Sequence, residues 1–375
     1  MAALGVSGRG HSSHRRPDPG FWAGRRVLVT GHTGFKGSWL ARWLAGLGAE
    51  VHGLALDPPT TPAVFDVAAV AAVLASDQRV DLRSGPDTLR AVGHVTPDLV
   101  LHLAAQPLVR DSYRDPSATY ATNVAGTGHL LAALSDADRR PQAVVVVTSD
   151  KVYVPAADGA AHTETSPLGG NDPYSSSKAL AEQVVEVFRN LPAIDGRPAW
   201  DVPMATARAG NVIGGGDWAR DRLVPDCVRS FAAGTPVELR YPAAVRPWQH
   251  VLDPLAGYLL LAEELATGNR KGLAAVNFGP VDGGAEGLSV AEVAREVAGL
   301  WGVDGSLVVE RPGTAAPETG ELRLDSSLAM AALGWSPRWD TREALRRTVD
   351  WYRAHDDGTD MAAFTDTQIR EYTGA

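Results

Sequence analysis

Residues 27–37 read VLVTGHTGFKG, a short apolar run that leads into three glycines spaced three residues apart, Gly31, Gly34 and Gly37. One glycine permits a tight strand-to-helix turn, one lets a pyrophosphate approach the backbone, and one lets the helix close on the strand. The apolar run WLARWL at 39–44 then continues as a helix, whose first N–H groups and positive dipole end attract phosphate. The stretch therefore predicts a dinucleotide-binding turn.

A second apolar run, residues 51–56, ends in Asp57, about twenty residues past the last glycine. An acid at this place accepts hydrogen bonds from an unphosphorylated ribose and favours NAD over NADP. The alternative is a turn residue ahead of Pro58 and Pro59. Asp81 and Leu82, after a short predicted strand, are expected beside the adenine.

Composition narrows the class of protein. The 375 residues carry 35 Lys and Arg against 44 Asp and Glu, a net charge of −9, which argues against a general nucleic-acid surface. Cys227 is the single cysteine, so no internal disulfide framework is possible and a reducing cytoplasm is expected. No apolar run reaches the roughly eighteen residues of a membrane span. Residues 1–21 are expected to form a disordered tail.

Short apolar strands alternate with helical stretches up to about residue 210, which is typical of a parallel sheet covered on both faces. The predicted fold class is α/β, a Rossmann-type doubly wound parallel sheet with a smaller C-terminal substrate lobe. Predicted strands cover 26–30, 50–55, a short run near 78–81, 98–103, 142–148 and 203–208. Residues 22–211 are assigned to the cofactor domain and 212–375 to the substrate lobe, with a segment near 240–265 returning to the first domain.

Tyr174 and Lys178 stand four residues apart at the start of a predicted helix, so they share one helix face. A lysine ammonium beside a phenol favours the ionised phenol, which can take a hydroxyl proton near neutral pH while a nicotinamide takes a hydride. The alternative is an ordinary surface pair one turn apart. The glycine loop upstream and the strand ending in TSD at 148–150 favour the catalytic interpretation.

These spacings resemble the extended short-chain dehydrogenases. Further strings are similar to the CDP-glucose 4,6-dehydratases of that family: TSDK at 148–151, DPYSSSK at 172–178, RAGNVIGGGDW at 208–218, RPWQHV at 246–251 and LGW at 333–335. The glycines and the Tyr/Lys pair specify only the superfamily. The lysine of TSDK and the GGGDW loop narrow the resemblance to this subfamily.

The resemblance implies a reaction in which bound NAD accepts the hydride from sugar C4, water leaves across C5 and C6, and the hydride returns to C6. Tyr174 is then the base for the C4 hydroxyl, Ser149 bonds the C4 oxygen, and Asp150 protonates the leaving C6 hydroxyl. Lys151 stands where related dehydratases of dTDP- and GDP-sugars carry a glutamate base.

The sequence leaves open the role of Lys151 and the effect of His32 and Lys36 on NAD binding. Lys151 is either the C5 base, which requires a lowered pKa, or a charge that stabilises the enolate, or a structural partner of Asp150. His32 and Lys36 lie between the glycines. One alternative is that their bulk pushes against the seat of the pyrophosphate and weakens NAD binding. The other is that both side chains point to solvent, or contribute favourable charge to a phosphate, and do not weaken binding.

Ligand residues are assigned as follows. Those expected at the cofactor are Gly31, Thr33, Gly34, Phe35, Lys36, Gly37, Asp57, Asp81, Leu82, Leu103, Ala104, Ala105, Tyr174 and Lys178. Those expected at the sugar nucleotide are Gln106, Arg208, Asn211, Arg222 and Arg246, because forked guanidinium donors suit a diphosphate. His102, His250 and Asp253 are interpreted as lining or packing residues, and no metal site is predicted.

The main alternative function is a dehydratase or an epimerase of a dTDP-, GDP- or UDP-linked sugar, and a second is a non-catalytic nucleotide-binding protein. Asp150 and Lys151 favour dehydration, because a C4 epimerase has no leaving hydroxyl to protonate. The expected partners are a small nucleotide sugar and a second copy of the chain, in a homodimer or homotetramer formed through two helices of each Rossmann domain. Nucleic acid and membrane are not expected partners.

Overall fold

The computed structural model describes residues 14–137, 139–156, 159–195, 199–268, 272–280, 287–311 and 323–374, and its centre is a seven-stranded parallel sheet. The strands of the chain are β1 (Arg26–Thr30), β2 (Glu50–Ala55), β3 (Ser76–Arg79), β4 (Leu99–His102), β5 (Ala143–Val147), β6 (Met204–Ala209), β7 (Val212–Ile213), β8 (Val237–Leu239), β9 (Gln249–His250), β10 (Ala275–Phe278) and β11 (Val308–Glu310). The sheet order is β3-β2-β1-β4-β5-β6-β10. The predicted doubly wound α/β fold is confirmed.

Helices cover both faces of this sheet. They are α1 (Pro19–Trp22), α2 (Phe35–Gly46), α3 (Val64–Val67), α4 (Gly85–Val95), α5 (Val109–Arg114), α6 (Pro116–Tyr120), α7 (Gly126–Ser135), α8 (Pro173–Arg189), α9 (Leu223–Ala232), α10 (Leu252–Thr267), α11 (Val290–Trp301), α12 (Ser327–Leu333), α13 (Thr341–Asp356) and α14 (Met361–Thr373). Every residue of β5 is buried, which explains its run of four valines, since β-branched side chains pack well on a sheet covered on both faces.

The six predicted strands are all present, with ends displaced by at most two residues. The seventh, β10, was not predicted. It is only four residues long and contains Asn277, so its hydrophobic pattern in the sequence does not distinguish it from a loop. It pairs in parallel with β6 and so extends the sheet with a segment that follows α10 in the chain.

Chain order reverses between β1 and β4, which are neighbours in the sheet although two strands separate them in sequence. In open α/β sheets, ligands bind outside the carboxyl ends of the strands at such a switch point. The glycine loop leaves β1 here, and residues 103–106 leave β4 beside it. The fold therefore brings both predicted cofactor segments to one crevice.

Past residue 210 the chain forms two small parallel pairs, β7 with β9 and β8 with β11. Helix α14 returns to α2, and α13 packs on the segment that follows β7. Arg42 of α2 is buried and forms an ion pair with Asp366 of α14 (Nη2 to Oδ2, 2.5 Å), while Trp351 of α13 packs on Gly215. The division into domains at residue 211 stays a prediction.

The predicted disordered tail differs from the structure over residues 14–21, and residues 1–13 lie outside the described part. The Asp18 amide and the Trp22 indole both donate to Oε1 of Glu263 on α10, each at 2.8 Å. Trp22 is fully buried. Burial of a tryptophan anchors this segment, a contribution that its polar, proline-rich sequence did not indicate.

Membrane-spanning helices and metal clusters are two further features that the described residues could carry. None of the helices there combines the length and the apolar character that crossing a membrane requires. In the same part of the chain, no group of three or more His, Cys, Asp or Glu side chains is arranged to hold a metal ion.

Candidate active site

The glycine loop is held by close backbone contacts. Gly31 has a φ of 75°, and a Cβ added there would lie 2.7 Å from the Ala104 amide nitrogen. A Cβ on Gly37 would lie 2.1 Å from the Gly31 carbonyl oxygen. Both positions therefore require glycine. Helix α2 follows with Gly34 as its N-cap and no side chain capping its first turn, so its N–H groups are available to a pyrophosphate. The loop fits the diphosphate of NAD.

The side chains of His32 and Lys36, two bulky residues of this loop, lie in different surroundings. His32 is fully buried, with its Nε2 2.8 Å from Asp77 Oδ1, and its ring lies against Gly53. The alternative that it points to solvent is therefore wrong. Lys36 turns towards the catalytic residues, with its Nζ 6.0 Å from the centre of the Tyr258 ring. Burial, reinforced by the nearby Arg222, lowers the pKa of Lys36 to about 7. Their effect on the grip on NAD stays a prediction.

Asp57 lies just past the end of β2, where a ribose acid is expected. Its side chain is 88% exposed, and Oδ1 accepts a hydrogen bond from Arg79 Nε at 3.1 Å. The carboxylate is thus available to a ribose, but it stands next to a guanidinium. Asp81 is paired with Arg83 at 2.6 Å, and hydrogen bonding from Arg83 lowers the pKa of Asp81. Leu82 is buried in the core.

Helix α8 presents Tyr174 and Lys178 as predicted from their spacing. The helix begins cleanly because the Asp172 side chain accepts a hydrogen bond from the Ser175 amide and Pro173 occupies the first turn. Tyr174 and Lys178 are both buried, and Lys178 Nζ donates to the Val147 carbonyl at 3.1 Å. Burial raises the pKa of Tyr174, and hydrogen bonding with Ser149 opposes this. Burial lowers the pKa of Lys178 to about 8.

The segment TSDK continues from the end of β5 and meets α8. Ser149 and Asp150 are buried, and Ser149 Oγ donates to Asp150 Oδ1 at 2.9 Å. Lys151 is partly exposed and lines a cleft together with Tyr153 and Asp172. A hydroxyl, a carboxyl group, an amine and a phenol are thereby gathered at the carboxyl edge of the sheet, which is the set that proton transfer to and from a sugar needs.

Two residues near this centre had no assigned role in the sequence analysis. A Cβ on Gly210 would lie 1.9 Å from Asp150 Oδ2, so the Asp150 carboxyl group packs directly on the Gly210 backbone. The hydroxyl of Tyr258 is fully buried and has no hydrogen-bond partner among the described residues. Burial raises its pKa, as does the proximity of Tyr174 and Asp150. Tyr258 was missed because it lies inside the apolar helix α10, where a tyrosine reads as core.

Arg208 does not lie where the sequence analysis expected it. Its guanidinium is buried and donates to Glu182 from Nε (2.9 Å) and Nη2 (2.8 Å), while Nη1 donates to the Tyr153 hydroxyl (2.7 Å) and the Glu164 carbonyl (3.0 Å). These internal acceptors occupy its donors. The assignment of Arg208 to the substrate diphosphate is therefore wrong, because a buried charge is satisfied inside the protein.

The other predicted substrate residues are placed differently. Asn211 has a φ of 48° and follows Gly210, while Arg222 precedes α9 with its Nε 3.7 Å from Asp217 Oδ2. Arg246 is half-buried. The Gln106 side-chain amide is bonded inside the protein, donating from Nε2 to Thr119 Oγ1 of α6 at 2.9 Å. A diphosphate role for Asn211, Arg222, Arg246 and Gln106 stays a prediction.

The three residues interpreted as lining or packing residues, His102, His250 and Asp253, are all buried. His102 lies 2.6 Å from Thr30 Oγ1, and burial lowers its pKa to about 3. Burial likewise lowers the pKa of His250 to about 3. Asp253 accepts a hydrogen bond from Tyr372 at 2.8 Å, and burial raises its pKa to about 7.

Comparison with known proteins gives consistent relatives. A family model described as the NAD dependent epimerase/dehydratase family matches residues 27–279. The CDP-glucose 4,6-dehydratase of Salmonella typhimurium is 44% identical over 96% of this chain and 99% of its own. The dTDP-glucose 4,6-dehydratase of Streptomyces griseus is 33% identical over 88% and 94%. A dTDP-glucose 4,6-dehydratase from Streptomyces venezuelae, crystallised with NAD, is 28% identical with a TM-score of 0.72, covering 89% and 98%.

Proposed function

The chain belongs to the NAD dependent epimerase/dehydratase family, and we propose that it converts CDP-D-glucose to CDP-4-keto-6-deoxy-D-glucose and water. The observation that carries this proposal is the junction of β5 with α8, where Ser149 and Asp150, followed in the chain by Lys151, meet Tyr174 and Lys178. The Tyr/Lys pair suits oxidation at C4. The adjacent acid suits expulsion of a hydroxyl, a step that a C4 epimerase does not perform.

The cofactor crevice and the catalytic residues have separate roles in the proposed reaction: one serves hydride transfer and the other proton transfer. The glycine loop would hold NAD, which would supply the hydride acceptor for C4 and the hydride donor for C6, so that no net redox change would occur. Tyr174 takes the proton of the C4 hydroxyl, and Lys178 favours the ionised phenol electrostatically. Ser149 donates to the C4 oxygen and holds it beside Tyr174.

Elimination follows from the 4-ketone, which acidifies the proton on C5. A base removes that proton, and Asp150 supplies a proton to the C6 hydroxyl, which leaves as water. The C5–C6 double bond then accepts the hydride at C6 and a proton at C5. Lys151 follows Asp150 in the chain and lines a cleft with Tyr153 and Asp172, and it acts either as the C5 base or as a fixed positive charge beside the enolate.

Arg222, Asn211 and Arg246 are proposed for the nucleotide diphosphate. Arg222 is 37% exposed beside Asp217, and its Nε is buried with no hydrogen-bond partner among the described residues, so this donor is available to a phosphate oxygen. Forked N–H donors suit phosphate oxygens. The cytidine preference itself rests on the resemblance to the Salmonella enzyme.

A homodimer or homotetramer is proposed through the outer face of α8. Leu180 and Val187 on that helix are 43% and 60% exposed, an apolar pair that a second copy would cover. The proposed location is the cytoplasm, supported by the single cysteine, which is buried. Sedimentation would report the assembly directly.

The experiment that tests the function is incubation of the purified chain with NAD and each of CDP-, dTDP-, GDP- and UDP-glucose. A 4-keto sugar is detected by its ultraviolet absorbance after alkali treatment. Formation from CDP-glucose in preference to the other three is the expected outcome. A C4 epimer as product, or no product from any sugar, would contradict the proposal.

A further inference from the structure

Glu182 has no part in the proposed chemistry, yet it continues the row of catalytic residues on α8. Tyr174, Lys178 and Glu182 follow one another at intervals of four residues, and residues at this spacing share a helix face. Glu182 is 5% exposed. A carboxylate this deeply buried requires charged or hydrogen-bonding partners inside the protein.

Both oxygens of Glu182 are fully engaged. Oε1 accepts hydrogen bonds from Thr148 Oγ1 at 2.6 Å and from Arg208 Nε at 2.9 Å. Oε2 accepts from Thr206 Oγ1 at 2.6 Å and from Arg208 Nη2 at 2.8 Å. The Arg208 contact is a two-point fork, which fixes the orientation of the carboxylate as well as its charge.

These contacts attach α8 to the strand that carries the catalytic segment. Lys178 donates to the carbonyl of Val147, the last residue of β5, and Glu182 accepts from the next residue, Thr148. Ser149 follows immediately. Two consecutive residues at the end of β5 are therefore bonded to two consecutive turns of α8, which holds the Ser149 hydroxyl in place relative to Tyr174.

We propose that Glu182 is a positioning residue for Lys178: oriented by Arg208, it holds the end of β5 against α8 and maintains the positive charge of the lysine that acts on Tyr174. The consequence for catalysis rests on the proposed function, in which Tyr174 is the base. The consequence for Lys178 itself does not.

The charges around Lys178 support this role. Burial lowers the pKa of Lys178 to about 8, and the Glu182 carboxylate opposes that fall. Tyr174 faces it from α8, His102 from β4 and Lys36 from α2. Burial lowers the pKa of His102 to about 3, so this ring is neutral near pH 7. Burial lowers the pKa of Lys36 itself to about 7, so this amine is largely neutral where Lys178 titrates, and the Glu182 carboxylate is the charge that acts on the Lys178 pKa.

The decisive variant is Glu182→Gln, which keeps the shape and removes the charge. We expect the titration midpoint of the Lys178 amine to fall by about one pH unit, the lower end of the effect of an adjacent opposite charge. The midpoint is read from the nitrogen-15 chemical shift of the Lys178 side chain in the full-length protein, with the signal assigned by its loss in Lys178→Arg. In turnover, the alkaline limb of the kcat profile should move to lower pH by the same amount, with the KM for CDP-glucose unchanged.

Thr206→Val is the matched control. It removes one hydrogen bond from the same carboxylate and keeps the charge, so the Lys178 midpoint should stay in place. Should Glu182→Gln fail to fold because it leaves Arg208 unpaired, the double variant Glu182→Gln with Arg208→Met removes both buried charges and still lacks the carboxylate. A smaller downward shift is expected in the double variant, because the loss of the Arg208 charge partly offsets the loss of the carboxylate.

The outcomes separate this inference from the function. An unmoved Lys178 midpoint in the charge-removing variants, or an equal shift in Thr206→Val, overturns the role of Glu182 whatever the activity. A lowered midpoint in a protein that processes none of the nucleotide sugars supports the role of Glu182 and rejects the dehydratase proposal.

Discussion

Gly210→Ala is expected to uncouple the two halves of the reaction. A Cβ at this position would lie 1.9 Å from Asp150 Oδ2 and 2.1 Å from its Cγ, whereas unbonded heavy atoms settle at roughly 3.5 Å. The Asp150 carboxyl group must therefore retreat by about 1.5 Å, and a displacement of about 1 Å in an active site is enough to lower a rate on the order of 10²-fold. The overpacking should also cost about 1–3 kcal/mol of stability.

The assay is a single turnover with CDP-glucose and NAD. Because Tyr174, Lys178 and Ser149 are unaltered, C4 should still be oxidised, and NADH absorbance should rise and persist while the 6-deoxy product forms slowly. Gly93→Ala is the control, since Gly93 is an exposed position inside α4 with nothing within 4 Å of an added Cβ. It should keep wild-type turnover and gain about 1 kcal/mol of stability. Wild-type dehydration by Gly210→Ala, or equal loss of C4 oxidation, would refute the assignment of Asp150 to the second step.

Three further variants test the remaining residues. Tyr174→Phe should slow C4 oxidation by roughly 10²–10⁴-fold with little change in CDP-glucose affinity, and turnover close to wild type would remove Tyr174 as the base. If Lys151 is the C5 base, Lys151→Met should accumulate NADH and incorporate no solvent deuterium at C5. If Lys151 only stabilises charge, deuterium exchange at C5 should slow but persist. Dehydration and C5 exchange at wild-type rates would reject both roles. In calorimetry, the wild-type protein should bind NAD+ more tightly than NADP+. Asp57→Ala, which frees Arg79, should reduce this ratio of affinities by roughly tenfold. Equal affinities of the wild-type protein for the two cofactors would remove Asp57 from the site.

The position of the cofactor crevice illustrates how the fold supports the chemistry. Helix α2 is clamped by the C-terminal helix through Arg42 and Asp366, and Trp39 on the same helix donates to the Gly215 carbonyl at 2.9 Å. These contacts tie α2, the helix proposed to receive the diphosphate, to the GGGDW loop. We therefore expect the C-terminal helices to contribute to cofactor binding without touching it.

Local signals in the sequence were sufficient for much of this protein. The glycine loop demands a particular backbone, and the structure shows why, since side chains at Gly31 and Gly37 would collide with neighbouring backbone. The run of valines in β5 indicates a buried central strand, and the four-residue spacing places Tyr174 and Lys178 on one helix face. The spacing of the glycines, the run of valines and the interval between Tyr174 and Lys178 are local patterns, so the sequence alone reveals them, although the backbone that excludes a side chain at Gly31 belongs to the distant Ala104.

Other features were decided only when distant segments met. Arg208 looked like a phosphate ligand until the fold placed it against Glu182, which lies 26 residues earlier in the chain. The contact of Gly210 with Asp150 joins β6 to β5, and residues 14–22 are ordered by Glu263 on α10. A side chain's charge and shape are written in the sequence, but which partner satisfies them depends on the burial and long-range pairing that only the tertiary structure creates.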